Sequence, residues 1–248
     1  MDFSWLNLLY VLVPSLAGGF IQTVTGFGFG VVVMMFFPIF LGVPQASALS
    51  AGISLILSTS LVWKLRKDLN LKKLWFPMGV DMIFGVLSIV ASKYIDLSQL
   101  KIWLSVFMVL MALYLLFLSG KFAVKANKKT AFICSSLGGL ASGFFGMGGP
   151  PLLPWFLAEF GNDKYAYIVS LQFMFWSTGL VNTAARAASG IFTWEVLLYL
   201  LPGIAGMLLG QVLGLRYVKK INAEQLKRIV YIFLGIAGII NFVTCLLK

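Results

Sequence analysis

Eight apolar segments with few charges inside them take up most of the sequence: 6–41, 46–63, 74–94, 102–118, 131–160, 165–185, 196–217 and 229–247. Most are close to the ~20 residues that a helix needs to cross the hydrocarbon core of a bilayer. Hydrocarbon offers no water to backbone amides and carbonyls, so segments of this kind must satisfy their own hydrogen bonds as helices. The longest polar stretch, 120–130, is a short basic linker with no room for a separate domain. The pattern predicts an all-α polytopic membrane protein forming one integral membrane domain over 1–248. Composition agrees: 60% hydrophobic and 11% charged residues lie far from the roughly 45–50% and 25% of soluble domains. The opening Met1-Asp2-Phe3-Ser4-Trp5 lacks a positive n-region, so no cleaved signal peptide is expected.

Two of the segments, the first and the fifth, are longer than one crossing needs, and both are broken by glycines. Residues 18–30 read Gly-Gly-Phe-Ile-Gln-Thr-Val-Thr-Gly-Phe-Gly-Phe-Gly, and residues 138–151 read Gly-Gly-Leu-Ala-Ser-Gly-Phe-Phe-Gly-Met-Gly-Gly-Pro-Pro. Sliding one onto the other by 120 positions superposes Gly18/Gly138, Gly19/Gly139, Gly26/Gly146 and Gly28/Gly148. Further on, 95–101 matches 221–227 at an offset of 126, and Pro77 and Gly85 match Pro202 and Gly210 at 125. The chain therefore reads as two repeats, about 2–119 and 130–248, each a glycine-broken re-entrant or paired helical hairpin plus three transmembrane helices.

Charge placement decides how the repeats are related. The net charge of +11 comes from Lys and Arg lying mainly between the apolar segments, which points to membrane topology and away from nucleic acid. If each long segment crosses once, the 19 basic residues divide as 11 and 8. If each goes in and returns, all of the 19 except Lys93, Lys101, Arg186 and Lys248 collect on one side. Cytoplasmic loops are enriched in Lys and Arg, so the expectation is a pair of inverted repeats with both termini outside the cytoplasmic membrane.

Helices broken near mid-membrane usually surround a binding site. The turns at Gly26, Gly28 and at Gly146, Met147, Gly148, Gly149 expose amides, and Pro150 suits the first turn of a new helix. A buried helix N-terminus favours an anion, whereas the carbonyl end of the preceding limb suits a cation or a donor. The plainer reading is that these glycines allow close helix packing. Polar stripes follow each turn: Ser47, Ser50, Ser54 and Ser58 on one helix, and Gln172, Thr178, Asn182 and Arg186 on its equivalent. They read as a hydrogen-bonding wall, or as hydroxyls bonded to their own helices. Gln22 and Thr25 join the candidate substrate-binding set. Arg186 either snorkels to the interface or draws an anion to the mouth of the site. Asp81 lies inside its segment, where an ionisable group is a candidate by default: a proton-coupling residue, or a partner for Lys93 or Arg186. Glu159 and Asp163 fall at a segment end and are expected to be solvated.

There is no histidine, which removes the commonest transition-metal ligand and general base. Cys134 and Cys245 are isolated packing residues, and no cofactor or metal pattern is present. An integral-membrane enzyme would need a nucleophile–base pair that the sequence does not offer. A non-transporting scaffold and a cation-coupled carrier of another small solute remain as alternatives. The partners expected are a small anion, the bilayer, and a coupling ion, proton or sodium.

Gln22-Thr23-Val24-Thr25-Gly26-Phe27-Gly28 and Gly143-Phe144-Phe145-Gly146-Met147-Gly148-Gly149-Pro150-Pro151 together resemble the paired signatures of the sulfite exporter TauE/SafE family. The resemblance extends over the whole chain. Where many members carry three consecutive glycines, this chain has Gly148-Gly149-Pro150. The resemblance implies a cytoplasmic-membrane transporter of sulfite, thiosulfate or an organosulfonate such as sulfoacetate.

Overall fold

The computed structural model describes residues 5–118, 124–161, 163–217 and 223–246. The linker cation Lys121, the cations Lys219, Lys220 and Lys248, and residues 221 and 222 of the second match lie outside the described residues, as do the side chains of Lys164, Lys227 and Cys245. Among the described residues ten α-helices follow one another: α1 Trp5–Thr25, α2 Phe29–Val33, α3 Val43–Leu65, α4 Leu71–Ala91, α5 Leu97–Leu113, α6 Lys128–Phe145, α7 Gly149–Phe160, α8 Lys164–Ala188, α9 Trp194–Tyr217 and α10 Ala223–Leu246. A π-helical turn, Tyr114–Leu118, prolongs α5, and no strand occurs among the described residues. Within α1, α3, α4, α5 and α9 lie spans long and apolar enough to cross a membrane.

The glycine breaks fall where the sequence puts them, between α1 and α2 and between α6 and α7. Their return limbs differ. α7 is a regular helix of 12 residues, about 18 Å at 1.5 Å per residue. α2 has 5 residues and gives way to turns and a short 3-10 segment, Phe37–Ile39, before α3. The first hairpin therefore pairs a limb of crossing length with an irregular one.

Contacts between helices fix their relative directions. In both hairpins the second limb folds back along the first, with Gly18 against Phe29 and Gly138 against Leu152. α9 runs parallel to α1, since Gly206 and Gly210 meet Leu12 and Leu16 and Gly214 meets Thr23. α6 runs parallel to α4, with Gly138 against Asp81 and Gly143 against Ser88. α3 is parallel to α9 through Ile53/Gly203 and Ser60/Gln211. α8 follows α4, with Asn182 beside Gly85. By contrast α3 and α8 are antiparallel, because Ser58 meets Gln172 while Ser47 meets Arg186. α5 and α10 are antiparallel too, with Gly238 at Ser105 and Gly235 at Ala112. So α1, α3 and α9 point one way and α4, α6 and α8 the other. Since α1 and α3 agree in direction, the chain between them has to come back to the end from which it started. The same holds between α6 and α8.

The centre of the protein is α3 against α8. Ala46, Ala48, Leu49, Ile53 and Leu57 of α3 and Val169, Leu171 and Met174 of α8 are fully buried. Large apolar side chains of α4, α5, α9 and α10, such as Ile83, Leu110, Val212 and Ile240, point outward, as a lipid-facing surface requires. Exposed aromatics sit at helix ends, Trp63, Trp75 and Tyr165 at one level and Tyr94 and Trp194 at the other, the positions of membrane-interface anchors.

Candidate functional site

The two glycine turns meet at the middle of the protein, where Gly30 lies against the carbonyl oxygen of Gly146. α6 stops because Gly146 adopts the left-handed conformation, φ 66°, which favours glycine. Its amide returns to the carbonyl of Ser142 at 2.8 Å, and that of Met147 returns to Ala141 at 3.2 Å. α7 then starts at Gly149 with proline in its first turn and no side-chain cap. The amides of Gly148 and Gly149 donate to no described residue, leaving the positive end of the α7 dipole free.

The first turn is built differently. Gly28 holds φ 114°, and the amide of Phe29 donates to Oε1 of Gln22 at 3.1 Å. One amide of the first turn, that of Phe29, is thus occupied by the chain's own side chain, while those of Gly28, Gly30 and Val31 donate to no described residue. With 5 residues α2 carries little aligned dipole, so the stronger anion-favouring helix end is that of α7, with 12.

Beside the turns lies a cavity of ≈60 Å³ whose walls include Gln22, Gly28 and Gly30 of the first hairpin and Ser54 of α3. Asp81 of α4, Ser142, Gly146, Met147, Gly148 and Gly149 of the second hairpin, and Thr178, Asn182 and Arg186 of α8 complete it. The remaining sequence candidates stand behind this wall. Gln172 accepts from Gln22 Nε2 at 3.2 Å and from Ser58 Oγ at 3.0 Å, and its own Nε2 donates to the carbonyl of Gly26 at 2.7 Å. Thr25 Oγ1 donates to the carbonyls of Ile21 and Phe27. Thr25, Gly26, Ser58 and Gln172 therefore secure the first turn without facing the cavity.

Arg186 does not snorkel. It is 1% exposed, and its guanidinium closes the carbonyl end of α6: Nη2 donates to Ser142 O at 2.6 Å and to Gly143 O at 3.0 Å. Nε donates to Ser47 Oγ at 3.3 Å. Nη1 has no partner among the described residues. Asp81, also 1% exposed, forms no ion pair with Arg186 or Lys93. The ion pair among the described residues is Lys73 with Glu159, at 2.6 Å, so Glu159 is not merely solvated. Asp163 caps α8 by accepting from the amides of Tyr165 and Ala166. One oxygen of Asp81, Oδ1, is without a partner, while Thr178 faces the carboxyl. Asn182 donates to Ser142 Oγ at 3.0 Å and keeps its Oδ1 unpartnered.

Ser142 and Gly30 are lining residues absent from the sequence set. Ser142 had a signal: it falls on Gln22 in the same 120-residue slide that aligns the glycines. The arrangement offers one buried cationic donor, free amides from both turns and a few acceptors around a space the size of a small oxyanion or a few water molecules.

A sequence model of the family described as Sulfite exporter TauE/SafE matches residues 11–240. No curated protein and no solved structure matches the chain.

Proposed function

The chain belongs to the sulfite exporter TauE/SafE family, and on that premise we propose that it is a secondary transporter or facilitator of a small sulfur-containing anion. The anion binds mid-membrane in the cavity at the two turns. The observation that carries this reading is Nη1 of Arg186, a buried cationic donor without a protein partner, on the same cavity as Gly148 and Gly149 at the start of α7. Charge-assisted hydrogen bonds of this kind are the strong ones, and a helix N-terminus adds to the attraction. Among sulfite, thiosulfate and organosulfonates such as sulfoacetate, a cavity of ≈60 Å³ favours the smallest, sulfite.

Alternating access would follow from two inverted repeats, a reading supported by the antiparallel course of the equivalent pairs α3/α8 and α5/α10. Basic residues then gather on the cytoplasmic side, with both termini outside the cytoplasmic membrane. A cation carrier has less support, because the α6 carbonyls that would bind a cation already accept from Arg186.

Proteoliposomes containing the purified protein should release sulfite faster than acetate, and sulfite should raise the unfolding temperature by mass action. A protein that melts cooperatively, is stabilised by no sulfur anion and releases none would overturn the proposal.

A further inference from the structure

Resting on the anion reading above, we propose that the cavity takes up its anion together with one proton, held between the anion and the carboxyl group of Asp81. The proton is therefore the coupling ion, in a one-to-one ratio with the anion.

The argument is one of charge and hydrogen-bond satisfaction. Three side-chain atoms of residues that line the cavity lack partners among the described residues: Arg186 Nη1, Asp81 Oδ1 and Asn182 Oδ1. One is a cationic donor and two are acceptors. A fully deprotonated anion satisfies the donor but offers nothing to the acceptors, and leaving buried acceptors empty is unfavourable. Arginine stays charged in proteins, so it supplies one positive charge and no more. Asp81 and the anion are two acidic groups sharing one small buried space, and like-charged neighbours of this sort hold a proton between them. A proton bridging the anion and Asp81 removes the repulsion and fills the Asp81 acceptor in one step.

No other charged group competes for that proton. Of the elements packed on α4 or walling the cavity, α3 carries Lys64 in its last turn, α6 carries Lys128 and Lys129 at its start, α7 carries Glu159 next to its last residue, and α8 begins with Lys164. Lys72 and Lys73 lie in the first turn of α4. Among the described residues, Arg186 and Asp81 are the charged pair on the cavity. The site is also single. At the offset of 125 that aligns Pro77 with Pro202, Asp81 falls on Gly206, so the other repeat contributes no second acid and the ratio is one proton per anion. In the transport step the proton leaves water on one side with the anion and returns to water on the other.

The test is calorimetric titration of the detergent-purified protein with sulfite at alkaline pH, where free sulfite is the dianion, in two buffers of different ionisation enthalpy. Wild type should take up about one proton per sulfite bound, and its affinity should fall about tenfold per pH unit. Asp81→Asn should bind sulfite with a flat pH profile and take up none. Uptake of no proton by wild type, or the same uptake by Asp81→Asn, would overturn the proposal. Should the variant fail to fold, the wild-type proton count decides alone. Absence of any sulfite binding to wild type overturns the anion reading itself, whereas binding without proton uptake overturns only the proton.

Discussion

Gln22 and Gln172, 150 residues apart, join their side-chain amides at 3.2 Å in the middle of the protein. Between them they hold the first glycine turn. Gln22 accepts from the amide of Phe29 and Gln172 donates to the carbonyl of Gly26. This pair sets the two hairpins apart in structure, because no described side chain accepts from the amide of Gly149, the position equivalent to Phe29.

Gln172→Leu should therefore act on stability more than on binding. It leaves Gln22, Ser58 and the Gly26 carbonyl with buried groups unmatched, each costing about 1–3 kcal/mol. The unfolding temperature in detergent should drop clearly, while sulfite affinity stays within a few-fold of wild type. A loss of affinity at unchanged stability would place Gln172 in the binding wall.

Arg186→Gln should reduce sulfite affinity by roughly a hundredfold, since truncating a buried hydrogen-bonded charge costs about 2–5 kcal/mol. Arg186→Lys should recover part of this at most. A lysine retains the charge but not the fork that reaches Ser142 O, Gly143 O and Ser47 together. Titration of each variant beside its thermal melt separates the two contributions. Equal affinity in Arg186→Gln and wild type would remove Arg186 from the site.

Neighbouring glycines should respond differently to alanine. A Cβ on Gly148 would lie 2.9 Å from Gly138 O and from Ser142 Cβ, forcing α7 away from α6. Gly148→Ala should lower the yield of folded protein. At Gly149 the same atom meets Phe175 Cζ at 3.3 Å and Phe27 Cβ at 3.6 Å. Gly149→Ala should fold, at a small loss of melting temperature, and slow sulfite flux by narrowing the cavity. The opposite order of folded yields would contradict the packing described.

Single cysteines in a background without Cys134 and Cys245 test the topology. Lys67→Cys should react with an impermeant thiol reagent from the cytoplasmic side, and Lys93→Cys and Ser189→Cys from outside. The single-crossing arrangement puts Ser189 on the side of Lys67, so labelling of both from one side would exclude inverted repeats.

Much of this was legible in the sequence because glycine and proline act locally. Gly146 ends α6, Pro150 begins α7, and both positions follow from backbone geometry. The stripe Thr178, Asn182, Arg186 was legible from helical spacing, and all three residues reach the cavity. What spacing along one helix does not reveal is the end of another. Arg186 lies near the last turn of α8, where a long cation ordinarily reaches for the interface. It is buried because α6, 43 residues earlier in the chain, stops with two carbonyls in front of it. Likewise the sequence does not show that Gln22, which lines the cavity, also accepts from the amide of Phe29 through its oxygen.

The pairing of α1 with α9 also orders events during synthesis. α6 enters the membrane when α4, the helix it lies along, has already been made. α1 leaves the ribosome first and waits in lipid until α9 emerges some 170 residues later. The flank that waits presents the backbone of Leu12, Leu16 and Phe20 and the side chain of Thr23. Translation stopped after α8 would leave that flank permanently against lipid, so the first hairpin reaches its final seat only after most of the second repeat has been made.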